Sequence, residues 1–191
     1  RGCLKAGERW EEGFAAAISS CHLVVVVMSR NAFAMDGKRH NVAALTATSN
    51  CDNVVLEYNL ALELNRLKGT AIMPLFVGAI EDGKYTHFFQ SGCMPLLGED
   101  IIVEQISQKV EHYLEHNAGL APDQMPERKP IKEVINNITQ FQGHFLQGDP
   151  TDAVKGAVQG IYKCTVRLVE QRRAQGAMEI FKFSTPQGEE V

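Results

Sequence analysis

Residues 23–28 form an unbroken run of apolar side chains, Leu-Val-Val-Val-Val-Met, which constrains the fold of this chain more than any other feature. The β-branched residues favour a strand, and the length of the run suits one. Strands with apolar side chains on both faces are typical of parallel sheets that helices cover on both sides. The run therefore predicts a buried strand in a parallel sheet.

Helical and strand patterns alternate around this strand. An apolar stripe at helical spacing precedes it, a second stripe follows it, and another apolar run at 71–77 ends at Gly78. This alternation predicts a doubly wound α/β fold, in which ligands bind at the carboxyl ends of the strands. The two stripes consist of Trp10, Phe14, Ala17 and Ile18, and of Leu56, Leu60, Leu64 and Leu67.

Glu57 is the acidic residue that the pattern singles out. It lies one position beyond Leu56, about 100° round the helix from the leucine stripe, and so at the border between core and solvent. Asp52 or Asn53 can cap the start of this helix, and Gly69 follows its end. Because the loop before the helix leaves the same sheet edge at which Ser29 and Arg30 close a strand, these residues are expected to meet there.

Composition excludes several classes of function. A net charge of -4 without a long basic cluster argues against nucleic-acid binding. The sequence contains no stretch of 18 apolar residues, so no membrane-spanning helix is predicted. The five cysteines form no CxxC pair, which favours free thiols in a reducing compartment. His112 and His116 share a helix face but have no evident third ligand, so no metal site is predicted.

The rest of the chain predicts a loop and further helices. Residues 31–51 are expected to form a long loop, and 79–100 a loop with aromatic anchors. After a helix and a proline-marked linker, two more helices follow, the second capped by Asp149. Its Gly156 and Gly160 predict close packing. The expected organisation is an α/β domain at 1–117, a helical extension at 118–173 and a disordered tail at 174–191.

The order of four segments resembles a TIR (Toll/interleukin-1 receptor-like) domain. The segments are the loop and helix at 3–20, the strand Leu23–Arg30 with its terminal serine, the helix 51–67 with its acid, and the strand 71–78 that contains Pro74. The resemblance covers residues 1–117 and begins after the family's first strand, so the chain is expected to be a fragment. It implies a flavodoxin-like parallel sheet flanked by helices, cytoplasmic location and a role in signal transduction and innate immunity.

The resemblance also implies an activity. One class of TIR domains cleaves NAD⁺ between nicotinamide and ribose with a glutamate that matches Glu57, and NAD⁺ is then substrate and not cofactor. The substrate-binding residues implied here are Ser29, Arg30, Arg9, Trp10 and Tyr58, although the spacing of Trp10 with Phe14 favours core packing. Where the family commonly has Trp, this chain has Asn53, so that Tyr58 or Phe33 is expected to supply the aromatic contact.

Two alternatives stay open beside the enzyme. The first is a non-catalytic TIR-like interaction module, which assembles with itself and with other TIR domains through the loop near residues 3–10. In that module Glu57 is a solvated acid. The second is a generic flavodoxin-like ligand-binding domain, in which Glu57 is incidental. The module predicts concentration-dependent assembly without turnover of NAD⁺, whereas the ligand-binding domain predicts no such assembly and a different, tightly bound small molecule.

Overall fold

The computed structural model describes residues 10–33, 42–89 and 100–174, except the side chains of Trp10, Glu11 and Asn31. The helices are α1 Trp10–Ser20, α2 Arg30–Phe33, α3 Asn53–Lys68, α4 Glu104–Ala118, α5 Ile131–Thr139 and α6 Pro150–Ala174. The strands are β1 Leu23–Ser29, β2 Ala71–Val77, β3 Ile80–Glu81, β4 Lys84–Tyr85 and β5 His144–Leu146. Short 3₁₀ turns lie at Val42–Ala44 and Pro122–Gln124. The expected tail from 175 onward lies outside the described residues.

A parallel sheet of three strands, in the order β1-β2-β5, organises the described part of the chain. β1 and β2 pair along their whole length, from Leu23 opposite Ala71 to Ser29 opposite Val77. β3 and β4 form a separate small hairpin. The prediction of an α/β fold with a parallel sheet flanked by helices is confirmed.

Two apolar cores cover the two faces of this sheet. The larger joins α1, α3, α4 and α5 to β1 and β2 through residues such as Met28, Leu60 and Ile135. The smaller joins α6 to β5 and the opposite face of β2 through Leu146 and Ala157. In the described part of the chain, no helix is long and apolar enough to cross a membrane.

α3 follows the sequence prediction closely. The Asp52 carboxylate accepts a hydrogen bond from the Val55 N–H at 3.0 Å and caps the helix, and Gly69 ends it with a φ of 66°. Its leucine stripe is turned into the larger core. The cap and the terminal glycine set the length of the helix, and the stripe sets its rotation.

Residues 118–173 contain a strand in addition to the expected helices. β5 is parallel to β2, with Leu75 opposite His144 and Val77 opposite Leu146. α5 packs against α3, and its buried residues belong to the same core as α1 and α4. The expectation of a purely helical extension therefore missed the third strand of the sheet, because three residues are too few to show a strand periodicity.

The start and the packing of α6 agree with the sequence. Asp149 accepts a hydrogen bond from the Thr151 N–H at 2.9 Å, as a capping residue does. A Cβ atom added to Gly156 or Gly160 would lie 3.3 Å from a ring nitrogen of His144, so the two glycines form a notch for this imidazole. The predicted close packing at these glycines is confirmed.

A buried ion pair ties α3 to the segment before α5. The Glu63 side chain is 1% exposed, and its carboxylate pairs with Lys129 and accepts a hydrogen bond from the Arg66 Nε at 2.9 Å. A buried carboxylate is costly unless it is paired. Lys129 and Arg66 thereby compensate the burial of Glu63.

We expect Lys129→Met to lower the free energy of unfolding by about 2–3 kcal/mol, because it leaves Glu63 buried with one cation fewer. Glu63→Gln combined with Lys129→Met should recover most of this loss, since neither charge then remains. Urea denaturation of the wild type, both single variants and the double variant measures the coupling. Additive losses in the double variant would contradict this role of the pair.

Candidate functional site

Glu57 lines a cavity of about 500 Å³ that follows β1 between α1 and α3. The side chain is half-buried, so the predicted position at the border of core and solvent is confirmed. Val54, Glu57 and Tyr58 face the cavity from α3 because residues three and four apart share one face of a helix. The other described lining residues are Phe14, Ala17, Ile18, Cys21, Leu23, Val24, Val25, Val26, Val27, Ser29 and Ala32.

The environment of Glu57 disfavours its charge. Burial, and secondarily the negative charge of Asp52, raise the pKa of Glu57 from 4.5 to about 7. Near neutral pH the protonated and the ionised forms are therefore both populated. A perturbed acid in a cleft is a common property of functional sites.

Tyr58 is held by a main-chain contact. Its side chain is 2% exposed, and its hydroxyl donates a hydrogen bond to the Val27 carbonyl oxygen at 2.6 Å. Burial, and then the charges of Glu57 and Asp52, raise the pKa of Tyr58. Tyr58 thus lines the cavity while its hydroxyl is hydrogen-bonded to β1.

Phe33 belongs to the core and not to the described cavity lining. It is fully buried, with ring centroids 6.3 Å from Tyr58 and 6.4 Å from Phe88. Of the two residues expected to supply the aromatic contact, Tyr58 lines the described cavity and Phe33 does not. A stacking role for Phe33 would require it to leave its packed position.

Ser29 lies at the carboxyl end of β1 and has a structural task. Its hydroxyl accepts a hydrogen bond from the Ala32 N–H at 3.3 Å and so caps α2. Ser29 also lines the cavity, whereas Arg30, the first residue of α2, is exposed and is not part of the described lining. The structure thus brings Glu57, Tyr58 and Ser29 together and leaves Arg30 outside.

Two further expected site residues lie where the structure gives no contacts. Arg9 is outside the described residues, and of Trp10 only the backbone, at the start of α1, is described.

Among the described residues, no group of three His, Cys, Asp or Glu side chains could hold a metal ion. The His116 Nδ1 is instead hydrogen-bonded to the carbonyl oxygen of His112 at 2.8 Å.

Sequence reasoning missed two features of the site. The sequence predicts Asp52 as a helix cap, but its negative charge also raises the pKa of Glu57. Both acids lie near the start of the same helix, and this closeness in sequence could have indicated the interaction. Cys21 lines the cavity, and burial raises the pKa of its thiol. The position of Cys21 between α1 and β1 does not indicate from sequence alone that its side chain lines the cavity.

Comparisons with protein-family models, with curated proteins and with solved structures found no match to this chain. The geometry of the site therefore carries the functional argument.

Glu57→Gln should stabilise the protein at alkaline pH. The wild-type free energy of unfolding is expected to fall as pH rises from about 4.5 to about 7, since the native state binds the Glu57 proton more tightly than the unfolded state. The variant should match the wild type near pH 4 and exceed it at pH 8 by on the order of 1 kcal/mol, a value reduced for partial exposure.

Denaturant titrations at pH 4, 6 and 8 measure this difference. Glu81→Gln is the matched control, because Glu81 is exposed in β3 and should show no such trend. A difference between Glu57→Gln and wild type that does not change with pH would contradict the raised pKa.

Proposed function

We propose that this chain is a TIR-type signalling domain that cleaves NAD⁺ at the bond between nicotinamide and ribose, with Glu57 as the catalytic residue. The observation that carries the proposal is the half-buried Glu57 carboxylate lining a cavity that reaches Ser29 at the carboxyl end of β1. Cavities of about 300–1,000 Å³ are usual for small-molecule sites. The order of helix, strand, acidic helix and strand supports the family assignment.

The chemistry needs only one acidic group. The bond between the ribose C1′ and the pyridinium nitrogen breaks, its electron pair goes to the ring, and nicotinamide leaves as a neutral molecule. The ribose develops oxocarbenium character, as sugars do in glycoside hydrolysis. An ionised Glu57 beside C1′ stabilises this positive charge and can hold a ribose hydroxyl.

The group that attacks C1′ determines the product. Water that attacks C1′ loses a proton and yields ADP-ribose, whereas attack by a ring nitrogen of the substrate's own adenine yields the cyclic form. In both cases the acceptor atom replaces nicotinamide at C1′. The mainly apolar walls of the described cavity strengthen the interaction of Glu57 with the developing charge, because they exclude water.

The positive charge of the substrate favours the ionised form of Glu57. Burial and Asp52 favour the protonated form of Glu57, but the pyridinium ring of NAD⁺ is a cation and favours the carboxylate. Binding of NAD⁺ is therefore expected to lower the pKa of Glu57 and to generate the ionised form that catalysis uses. A second acid or base is not required for this step.

One observation favours a second candidate, a non-catalytic TIR-like module for protein–protein interaction in cytoplasmic signal transduction and innate immunity. The described lining contains no Lys, Arg or His, so no described cation faces the cavity to hold a pyrophosphate. Such a module would assemble with itself or with other TIR domains, and its Glu57 would have no catalytic task.

Release of nicotinamide from NAD⁺ tests the enzyme. We expect Glu57→Gln to lower kcat/KM at least about 100-fold, because the amide cannot stabilise the cationic ribose. Glu81→Gln, which removes an exposed charge, should retain wild-type activity. The wild-type rate should rise with pH through the pKa of Glu57 and reach a plateau above it, since the ionised form is active.

The assay is combined with light scattering over a range of protein concentrations. Folded, self-associated wild type that releases no nicotinamide would reject the enzyme and support the interaction module. Absence of both turnover and concentration-dependent assembly would reject both candidates and leave a ligand-binding domain.

A further inference from the structure

A second cavity, of about 440 Å³, lies between α3 and α5. None of its described lining residues belongs to the lining of the cavity that contains Glu57. Arg66, which lines it, follows Glu57 by about two and a half helical turns and so lies on the opposite side of α3. The cavity is therefore separate from the candidate NAD⁺ site, and it has the volume of a small-molecule site.

The charges that line this second cavity are not balanced. Lys129 and Arg66 are cations, and Glu63 is the one acid in the described lining. Lys129, whose side chain is 19% exposed, pairs with one carboxylate oxygen of Glu63, and the Arg66 Nε pairs with the other at 2.9 Å. Two cations beside one carboxylate leave an excess of positive charge, in a chain whose net charge is -4. The lining therefore favours an anion and disfavours a cation.

The guanidinium group of Arg66 has donors that no described residue uses. Its Nε is bound to Glu63, whereas its two Nη groups have no hydrogen-bond partner among the described residues. The two Nη groups form a planar fork that matches the two oxygens of a carboxylate. Because the side chain is 53% exposed, this fork is accessible to a ligand. Arg66 can thus bind a carboxylate through two parallel hydrogen bonds while it keeps its contact with Glu63.

Two amide side chains line the same cavity from the other helix. Asn137 is half-buried in the last turn of α5, and Gln140 is the residue that caps the end of this helix. Residues three apart share one face of a helix, which explains why both reach the cavity. Neither amide side chain has a hydrogen-bond partner in the described part of the chain, so their N–H groups are available to the oxygen atoms of a ligand.

The rest of the described lining is apolar. Leu62 of α3 and Phe141, which follows α5, line the cavity and are partly buried against the larger core. Phe141 offers a ring on which a flat apolar group can pack. A ligand that matches the whole lining therefore has a negative charge at one end and a flat apolar body. Inorganic phosphate has the charge but cannot use the apolar wall.

A neighbouring cavity of about 320 Å³ does not favour anions in the same way. It also contains Arg66 and Lys129, but its described lining adds one more cation and three acids, so its charges balance. The added cation is Arg128, and the acids are Asp123, Glu127 and Glu133. These acids repel a ligand carboxylate, which is therefore expected in the cavity that contains Asn137.

We propose that the cavity between α3 and α5 binds a small monocarboxylate with a flat apolar body, held by the Arg66 fork, the Asn137 amide and the Phe141 ring. The excess positive charge excludes a cation, the unused donors favour a carboxylate over a neutral molecule, and the apolar wall favours it over phosphate. This inference does not rest on cleavage of NAD⁺. Its failure would leave the nicotinamide assay unchanged, and a protein without turnover can still bind the monocarboxylate.

Benzoate is the probe, because it is a flat monocarboxylate with no other polar group. Two-dimensional ¹H–¹⁵N NMR follows the Nε–H of Arg66, the side-chain amide of Asn137 and the main-chain amides of 137–141. We expect saturable shifts of these signals with a Kd of about 1–10 mM, since a ligand of this size supplies only a modest affinity. Benzamide, which has a similar shape without the charge, and inorganic phosphate should each bind at least about tenfold more weakly.

Variants separate the Arg66 fork from charge alone. Arg66→Gln should weaken benzoate binding at least about tenfold, and Arg66→Lys, which keeps the charge and loses the fork, at least about threefold. Lys68→Gln is the matched control, because Lys68 is an exposed cation near the end of the same helix and does not line the cavity. Asn137→Ala keeps both ion pairs of Glu63, so it tests the site in a protein whose α3 contacts are intact, and it should weaken binding about threefold.

Four results would overturn the proposal. One is the absence of saturable shifts at Arg66 and 137–141. Another is equal affinity for benzoate and for benzamide or phosphate, which would mean that charge and apolar wall do not act together. A third is equal weakening by Lys68→Gln and Arg66→Gln, which would identify a diffuse surface charge. The fourth is a set of shifts centred on Tyr58, which would place benzoate in the cavity of Glu57.

Discussion

The packing of α3 against β1 and β2 is the interaction on which the other features depend. One apolar stripe, with Leu60 and Leu64 at its centre, sets the rotation of the helix against the sheet. That rotation turns Glu57 and Tyr58 towards the β1 cavity and Glu63 towards Lys129. A single helix therefore positions the candidate catalytic residue Glu57 and the tyrosine that is hydrogen-bonded to β1. The same helix carries Glu63, whose ion pair ties α3 to the segment before α5.

The two acids of α3 illustrate how environment separates chemically identical side chains. Glu63 is almost fully buried but is compensated by Lys129 and Arg66. Glu57 is only half-buried, yet no described cation lines its cavity and Asp52 adds a like charge, so its pKa rises to about 7. A perturbed pKa in a cleft is more typical of functional acids than burial alone. This difference makes Glu57 the stronger candidate for chemistry and Glu63 the stronger candidate for stability.

The parts of the fold with strong local signals could be predicted from the sequence, and the parts that depend on tertiary contacts could not. The valine run of β1, the stripe and cap of α3 and the capping by Asp149 are local patterns, and the structure has them at the expected positions. β5 is three residues long and gains its strand conformation from pairing with β2. Glu63 could have been recognised, because it falls on the leucine stripe, three residues after Leu60, where an acid needs a partner. The burial of Phe33 could not have been recognised from the sequence, since Phe33 packs against Phe88 from a distant part of the chain.

The protonation state of Glu57 depends on what occupies the β1 cavity. A ligand that brings a cation to Glu57 favours the ionised carboxylate, whereas an apolar group that deepens its burial favours the protonated acid. Because the pKa of Glu57 is about 7, modest changes in its surroundings shift the balance between the two forms in either direction near neutral pH. Glu63, whose charge is compensated by Lys129 and Arg66, is not exposed to this influence, since its partners belong to the protein itself.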